Sequence, residues 1–391
     1  MNSLDDFAET KLAELDAKSL RRRLVTVARS AGAHAAKDGA ELISFCCNDY
    51  LNLSQHPEVK QAAADAALAY GAGAGASRLV TGNHPLYEAL EAKLARLKGT
   101  EAAVVFGSGY LANMGIVPSL AGPGDLILID ELAHACLFAG ARLARSSVVI
   151  YPHSDVGALR RLLRERRAAH ERAVILTDGV FSMDGDGAPL ATLSEAAAEH
   201  DAWLMTDDAH GLGVLGEGRG SLAEARARAR RFIDVPLQMG TLSKAVGSYG
   251  GYLCASRAVV DLIRTRARTF IYTTGLPPAV VAASIAALDI IERDTDLCER
   301  PMRQARAFAC ALGLPAPQSP VVPLILGDAD TTLKASALLE AHGFLVTAIR
   351  PPTVPEGTAR LRLTFCATHR DEDVARLAHA VAREILPRAV A

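Results

Sequence analysis

Short apolar runs recur along the first two thirds of the chain: Ala102–Phe106, Leu126–Ile129, Val148–Tyr151, Ala173–Thr177, Trp203–Thr206 and Leu237–Met239. Segments with apolar residues at helical spacing separate most of them, such as Val156–His170 and Leu190–Asp201. A run without alternation fits a strand buried on both faces. Strands alternating with helices predict a largely parallel sheet with helices on either side. Gly250-Gly-Tyr-Leu-Cys254 follows the preceding strand too closely for a crossover helix, so it reads as an antiparallel neighbour. Upstream, Leu86, Leu90, Leu94 and Leu97 share one face of a helix over Asn83–Leu97 that Gly99 stops.

The ends of the chain read differently. Residues 4–30 carry leucines at helical period and then Leu20-Arg-Arg-Arg-Leu24, an N-terminal arm. After a helical stretch from Ala279 to about Leu312, Pro315-Ala-Pro-Gln-Ser-Pro320 resembles a linker. Beyond it come a strand (Val321–Leu326), a helix (Thr331–His342), two strands (Phe344–Ile349, Thr358–Phe365) and a helix (Asp371–Leu386). The expected organisation is an arm over 1–44, a large α/β domain over 45–285 and a smaller α+β domain over 286–391. A chain of 391 residues is long enough for two cores.

Composition narrows the function. Half the residues are apolar and 22% are charged, which fits a globular protein with a sizeable core. A net charge of −2 gives no electrostatic case for nucleic acid or an anionic membrane. Seven cysteines with no C-x-x-C argue against a disulfide framework or a zinc site, and Cys46–Cys47 read as two free thiols in a strand. No apolar run approaches 18 residues, and Met1-Asn-Ser-Leu-Asp-Asp lacks the charged start of a signal peptide; a cytosolic protein is expected.

Of 42 basic residues only eight are lysines, and Lys244 stands apart from the rest. It has no charged neighbour within six positions on its N-terminal side, and the next charge is Arg257. In a parallel sheet, ligands bind at the carboxyl ends of the strands. Phe106-Gly-Ser-Gly-Tyr-Leu-Ala-Asn113 leaves a strand and opens a helix, so its free backbone N–H groups suit a phosphate. Trp203-Leu-Met-Thr-Asp-Asp-Ala-His-Gly211 delivers Asp207, Asp208 and His210 to a strand end. A carboxylate at Asp207 is desolvated and needs a cationic partner, either a metal or a protonated ring nitrogen. No second acidic or histidine cluster completes a metal shell, so no metal is expected. A phosphate cup, an acid for a ring nitrogen and a lysine about 37 residues later together suit pyridoxal 5′-phosphate (PLP).

The segments Asn48-Asp-Tyr-Leu, Ser77-Arg-Leu-Val-Thr-Gly-Asn, Asp178-Gly-Val-Phe-Ser-Met-Asp-Gly-Asp186, Asp207-Asp-Ala-His-Gly, Thr241-Leu-Ser-Lys and Ala348-Ile-Arg-Pro-Pro-Thr-Val-Pro355 closely resemble those of the α-oxoamine synthase family of PLP enzymes. The resemblance covers nearly the whole chain. It implies the fold-type I, aspartate-aminotransferase-like architecture, a homodimer, and a decarboxylative acyl transfer from a thioester to an amino acid. It also implies roles. Lys244 would carry the cofactor, Asp207 would hold the ring nitrogen, and His134 would stack on the ring. Ser182 and His210 would reach the phenolic oxygen. Gly109, Tyr110 and Thr241 would meet the phosphate, with Thr273 and Thr274 contributed by the partner subunit.

For the substrates, the resemblance selects Arg362, helped by Asn48 and His134, for the amino-acid carboxylate. Arg360, Arg362 and Thr364 share one face of an alternating strand, opposite Leu361, Leu363 and Phe365. Arg21 and Thr353 would contact the acyl chain. The 348–355 segment resembles most the branch that joins L-alanine to pimeloyl-CoA or pimeloyl-acyl carrier protein in biotin biosynthesis. A glycine-using sister reaction stays open, as does a non-catalytic protein that binds a phosphorylated ligand.

Overall fold

The computed structural model describes residues 3–386. In chain order its strands are β1 (Ala28–Arg29), β2 (His34–Lys37), β3 (Ala40–Ser44), β4 (Ala102–Phe106), β5 (Leu126–Asp130), β6 (Ser147–Tyr151), β7 (Ala173–Asp178), β8 (Trp203–Asp207), β9 (Leu237–Thr241), β10 (Gly251–Ala255), β11 (Val321–Gly327), β12 (Phe344–Leu345), β13 (Thr347–Ile349) and β14 (Ala359–Thr364). The chain divides into two units, Asn48–Pro301 and a second that joins the residues up to Cys47 to those from Met302 onward.

The 48–301 unit is built on a seven-stranded sheet of order β4-β10-β9-β8-β7-β5-β6. Strands β9, β8, β7, β5 and β6 are parallel, and β10 runs antiparallel to both β9 and β4. Successive side chains of a strand point to opposite faces, and here both faces are covered. On β5, Ile127 and Ile129 pack with Ile116 and Leu137 on one side, while Leu126 and Leu128 pack with Leu159 and Leu193 on the other. Unbroken apolar runs follow from that arrangement, each fully buried side chain contributing about 1.5–3 kcal/mol. At the sheet edge β6 leaves Val148 and Ile150 exposed.

The second unit holds a four-stranded sheet, β1-β2-β3-β12, and a three-stranded sheet, β11-β14-β13. Phe45, Phe308, Phe344, Leu361, Leu363 and Phe365 share its core. Strand β3 pairs in parallel with β12, so residues 28–44 are sheet strands rather than a free arm. The division falls at 47/48 and 301/302, where the sequence pattern suggested 44/45 and 285/286. Two-to-five-residue strands paired across some three hundred positions leave no local periodicity to read. The segment 344–349 splits between the two sheets. Cys46 and Cys47 lie just past β3, as free thiols. Strand β14 is central in its sheet, and its Arg360 and Arg362 are both buried. Among the described residues no helix is long and apolar enough to cross a membrane.

Candidate active site

Asp130, Asp178, Asp207 and Thr241 are the last residues of β5, β7, β8 and β9, so four polar side chains meet at one edge of the sheet. A cavity of about 180 Å³ opens there. Gly109, Tyr110, His134, Ser182, Asp207, His210, Thr241 and Lys244 line it, together with Cys136, Asp178, Val180, Ala209 and Met239. Eight of the ten residues expected around a cofactor are thus brought together. The other two are not. Thr274 pairs with Ser77, and Thr273 lies beside Gly107, outside the cavity wall.

Lys244 sits in a tight loop after β9. Leu242 N–H donates to Gly250 O (2.9 Å), Thr241 Oγ1 donates to the same carbonyl (2.7 Å), and Gly247 N–H donates to Lys244 O (2.8 Å). The loop presents one amine to the cavity, with Nζ 2.7 Å from His210 Nε2. His210 Nδ1 lies 2.6 Å from the Tyr50 hydroxyl, which donates to Asn48 Oδ1 (3.4 Å). An amine donating to Nε2 sets a single direction along the chain: Nδ1–H then donates to the Tyr50 oxygen, whose hydrogen goes to Asn48.

The two adjacent carboxylates have opposite surroundings. Asp207 is buried and accepts Asn113 Nδ2 (2.7 Å) and Ala209 N–H (3.0 Å), both neutral amides. Asp208 points away, where Lys98 Nζ donates to Oδ2 at 2.7 Å with both side chains almost fully enclosed. Ser221 N–H completes it (3.0 Å), and Gly220 (φ 100°) leaves no room for a side chain beside it. Asp208 is therefore spoken for. Of the two, Asp207 is the one left facing the cavity, where it can serve a cationic ring.

His134 caps the helix Ala135–Ala144, with Nδ1 accepting Cys136 N–H (3.2 Å) and lying 2.7 Å from Cys136 Sγ. Burial holds the imidazole below its ordinary pKa, although the Asp207 charge pulls upward. It is a neutral ring with its proton on Nε2. Burial pushes the Cys136 thiol up to about 12, so it is no nucleophile at neutral pH. Burial, with the Asp207 charge beside it, also raises the Asp178 carboxyl well above the usual range.

At the far wall Ser108 caps the helix Gly109–Leu120 by accepting Leu111 N–H (3.2 Å). The N–H groups of Gly109 and Tyr110 belong to a first turn, which has no acceptors of its own and favours an anion. A Cβ on Gly251 would stand 2.5 Å from Ser108 O, so glycine there lets β10 pass close under this turn. The donor set fits PLP: a helix start for the phosphate, a carboxylate for the ring nitrogen, a flat imidazole, and one amine. Among the described residues no three His, Cys, Asp or Glu side chains gather as a metal would require.

On the substrate side, Asn48 adjoins the Tyr50–His210–Lys244 chain. Arg362 lies on buried β14 of the second unit. Arg21 is paired with Asp16 (2.6 Å), and it is Arg22 that donates to Thr353 Oγ1 (3.0 Å). Sequence reasoning missed Asn113, Tyr50 and Lys98. Asn113 stands one helical turn after Gly109, a spacing that puts it on the same face, but a single asparagine carries no further signal.

The family model described as aminotransferase class I and II matches residues 40–381. The 8-amino-7-oxononanoate synthase of Methylocella silvestris is 64% identical over 348 residues, covering 89% of this chain and 98% of that one. That of Beijerinckia indica subsp. indica is 58% identical over 386 residues, covering 98% of each. A serine palmitoyltransferase from S. paucimobilis, solved with a bound PLP–myriocin aldimine, superposes with a TM-score of 0.88 at 27% identity, covering 97% of this chain and 98% of that one. The chain belongs to the PLP-dependent class I and II aminotransferase family and, within it, to the 8-amino-7-oxononanoate synthases of the α-oxoamine synthase group.

Proposed function

We propose that the protein condenses L-alanine with a pimeloyl thioester, on CoA or an acyl carrier protein, to give 8-amino-7-oxononanoate, CO2 and the free thiol. The observation that carries the chemistry is the convergence of Lys244, Asp207 and His134 on one cavity at a helix start. The relatives' common name supplies the substrates. When bound, PLP supplies a sink for the electron pair left on the alanine Cα. The residues of the chain do the rest. Gly109 and Tyr110 N–H groups would bind the phosphate, and Asp207, held by Asn113 and Ala209, would keep the ring nitrogen protonated. His134 would lie on the ring as a neutral imidazole, and Ser182 and His210 would reach the phenolic oxygen, Ser182 as the donor.

Lys244 Nζ takes the alanine α-proton and later returns one to the same carbon. Its hydrogen bond to His210, backed by Tyr50, keeps the amine aimed into the cavity between the two transfers. Overall the Cα–carboxylate and acyl C–S bonds break and the Cα–acyl bond forms; the Cα–H bond is broken and re-made through Lys244, and the departing thiolate takes up one proton from solvent to leave as the free thiol. Arg362, with Asn48 and His134, would hold the alanine carboxylate, and Arg21 and Thr353 would meet the acyl chain.

A homodimer accompanies this reading. Thr273 and Thr274 stay out of their own cavity, and Leu79, Val80 and Tyr272 are large apolar side chains left exposed in the two segments that the Ser77–Thr274 bridge joins. The deciding test is CO2 and thiol release across alanine and glycine, each with pimeloyl-CoA and acetyl-CoA. Alanine with pimeloyl-CoA should be fastest. An empty methyl pocket costs glycine about 1–3 kcal/mol. Preference for glycine with acetyl-CoA would overturn the assignment, and no turnover without spectral evidence of bound PLP would favour a non-catalytic binder.

A further inference from the structure

His153 follows β6 in the turn before the helix Val156–Arg166, away from the cavity lining. Its two ring nitrogens reach two different carboxylates: Nδ1 lies 2.9 Å from Asp130 Oδ1, and Nε2 lies 2.8 Å from Asp186 Oδ2. Carboxylates accept and do not donate when ionised, so this geometry requires a proton on both nitrogens, that is, an imidazolium. Neither carboxylate lines the cavity itself, but each holds a different segment that does, the one carrying His134 and the one carrying Ser182.

Asp130 anchors the turn that carries His134. Its Oδ1 accepts Leu132 N–H (2.9 Å), its backbone carbonyl accepts Ala133 N–H (3.0 Å), and its Oδ2 accepts Ser154 N–H (2.8 Å). Asp186 closes the hairpin that carries Ser182. Phe181 N–H donates to Asp186 O (2.9 Å), and Val180 bridges to Gly187. The other Asp186 oxygen, Oδ1, is buried without a hydrogen-bond partner among the described residues, so the contact with His153 is what pairs this half-buried carboxylate. The imidazole also packs edge-on against Phe181, with ring centroids 4.3 Å apart, from the outer side of the same hairpin.

We propose that His153 is a positioning residue for the reaction: as a fixed cation between Asp130 and Asp186 it ties the His134 turn to the Ser182 hairpin and so holds the two walls at the separation a PLP ring needs. This rests on the PLP reading above. The two carboxylates raise the pKa of His153 to about 10 against its partial burial, so the clamp stays charged through the neutral range. Glu131 Oε1 accepts the His153 backbone N–H (2.8 Å), which fixes the turn that carries the ring.

The experiment compares the full-length parent with His153→Gln, His153→Arg and Asp186→Asn. Gln is neutral and reaches one carboxylate, whereas Arg keeps the charge and can donate to both. Three quantities are read on each: the PLP dissociation constant by titration of the apoprotein, the ratio of long- to short-wavelength bands of bound cofactor, and kcat at saturating PLP. We expect His153→Gln to weaken PLP binding and lower kcat by about tenfold, the order lost when a group behind a ligand-holding residue is removed. The band ratio should shift because the Ser182 side is loosened, and His153→Arg should recover most of each effect. Asp186→Asn frees only the hairpin, and it gives the same signs should His153→Gln not fold. Unchanged PLP affinity and band ratio in folded His153→Gln, or Arg no better than Gln, overturns the clamp. A parent that binds no PLP overturns the functional reading instead.

Discussion

Asn substituted at Asp207 and at Asp208 should produce two different failures, although the residues are adjacent and the change is isosteric. In Asp208→Asn the lost charge leaves the Lys98 ammonium enclosed. Its side chain is 1% exposed, and the carbonyl of Arg219 (2.7 Å) remains as its other acceptor. Removing one partner of a buried pair costs about 3–5 kcal/mol, because the other charge stays desolvated. Against a total stability of about 5–15 kcal/mol that is a large fraction, and it lowers the melting temperature by about 6–20 °C. In Asp207→Asn the groups left facing the new amide are the neutral donors of Asn113 and Ala209, which are easier to rearrange. The fold should lose about 1–3 kcal/mol, while turnover falls about 10²–10³-fold for want of a fixed negative charge. Calorimetric melting of both apoproteins and kcat at saturating PLP separate the effects. A folded, inactive Asp208→Asn beside an Asp207→Asn that matches the parent would reverse the assignment. An Asp208→Asn that melts with the parent would refute the buried-pair reasoning.

Three further outcomes are expected. Borohydride should fix PLP to a single peptide containing Lys244, and Lys244→Ala should fold yet lose several orders of magnitude in turnover; labelling elsewhere would sink the Lys244 role. His369 stacks on Phe45, accepts Cys366 N–H and meets Ser44 O, and burial lowers its pKa from 6.5 to about 4. Because the unfolded chain takes up that proton below pH 6.5 and the folded one does not until about pH 4, its contribution is present above pH 6.5. About 3 kcal/mol should vanish as pH falls through that window, and a stability gap between parent and His369→Gln that ignores pH would contradict this. Thr353→Ala and Arg21→Ala should raise KM for the pimeloyl thioester about threefold to tenfold, the worth of one hydrogen bond, and leave KM for alanine unchanged; equal effects on both substrates would count against an acyl role for these residues.

What could be read from the residues depended on whether the signal was local. Strands β5 and β7 are apolar on both faces because helices cover both, and a run of five buried residues shows that directly. Strands β1 to β3 are short, partly exposed and closed by β12 from the other end of the chain, so nothing near them announces a sheet. The burial of the β14 arginines is hidden for the same reason: alternation says which residues share a face, but not what lies over it.

The same distinction separates the chemistry. Lys244 was legible because no nearby charge competes to explain it, and the glycines and hydroxyls around it form the loop that holds it. Lys98 was not, since it ends a charged helix and looks like any solvent-facing lysine until Asp208, 110 positions away, is folded against it. That contact is also what resolves the pair of aspartates. Alternation sends Asp207 and Asp208 to opposite sides, but only the distant lysine shows which side is structural, and by elimination which one is left for a ligand. A long-range ion pair therefore fixes the identity of a short-range motif, and His153 works the same way, its meaning set by Asp130 and Asp186 rather than by its own neighbours.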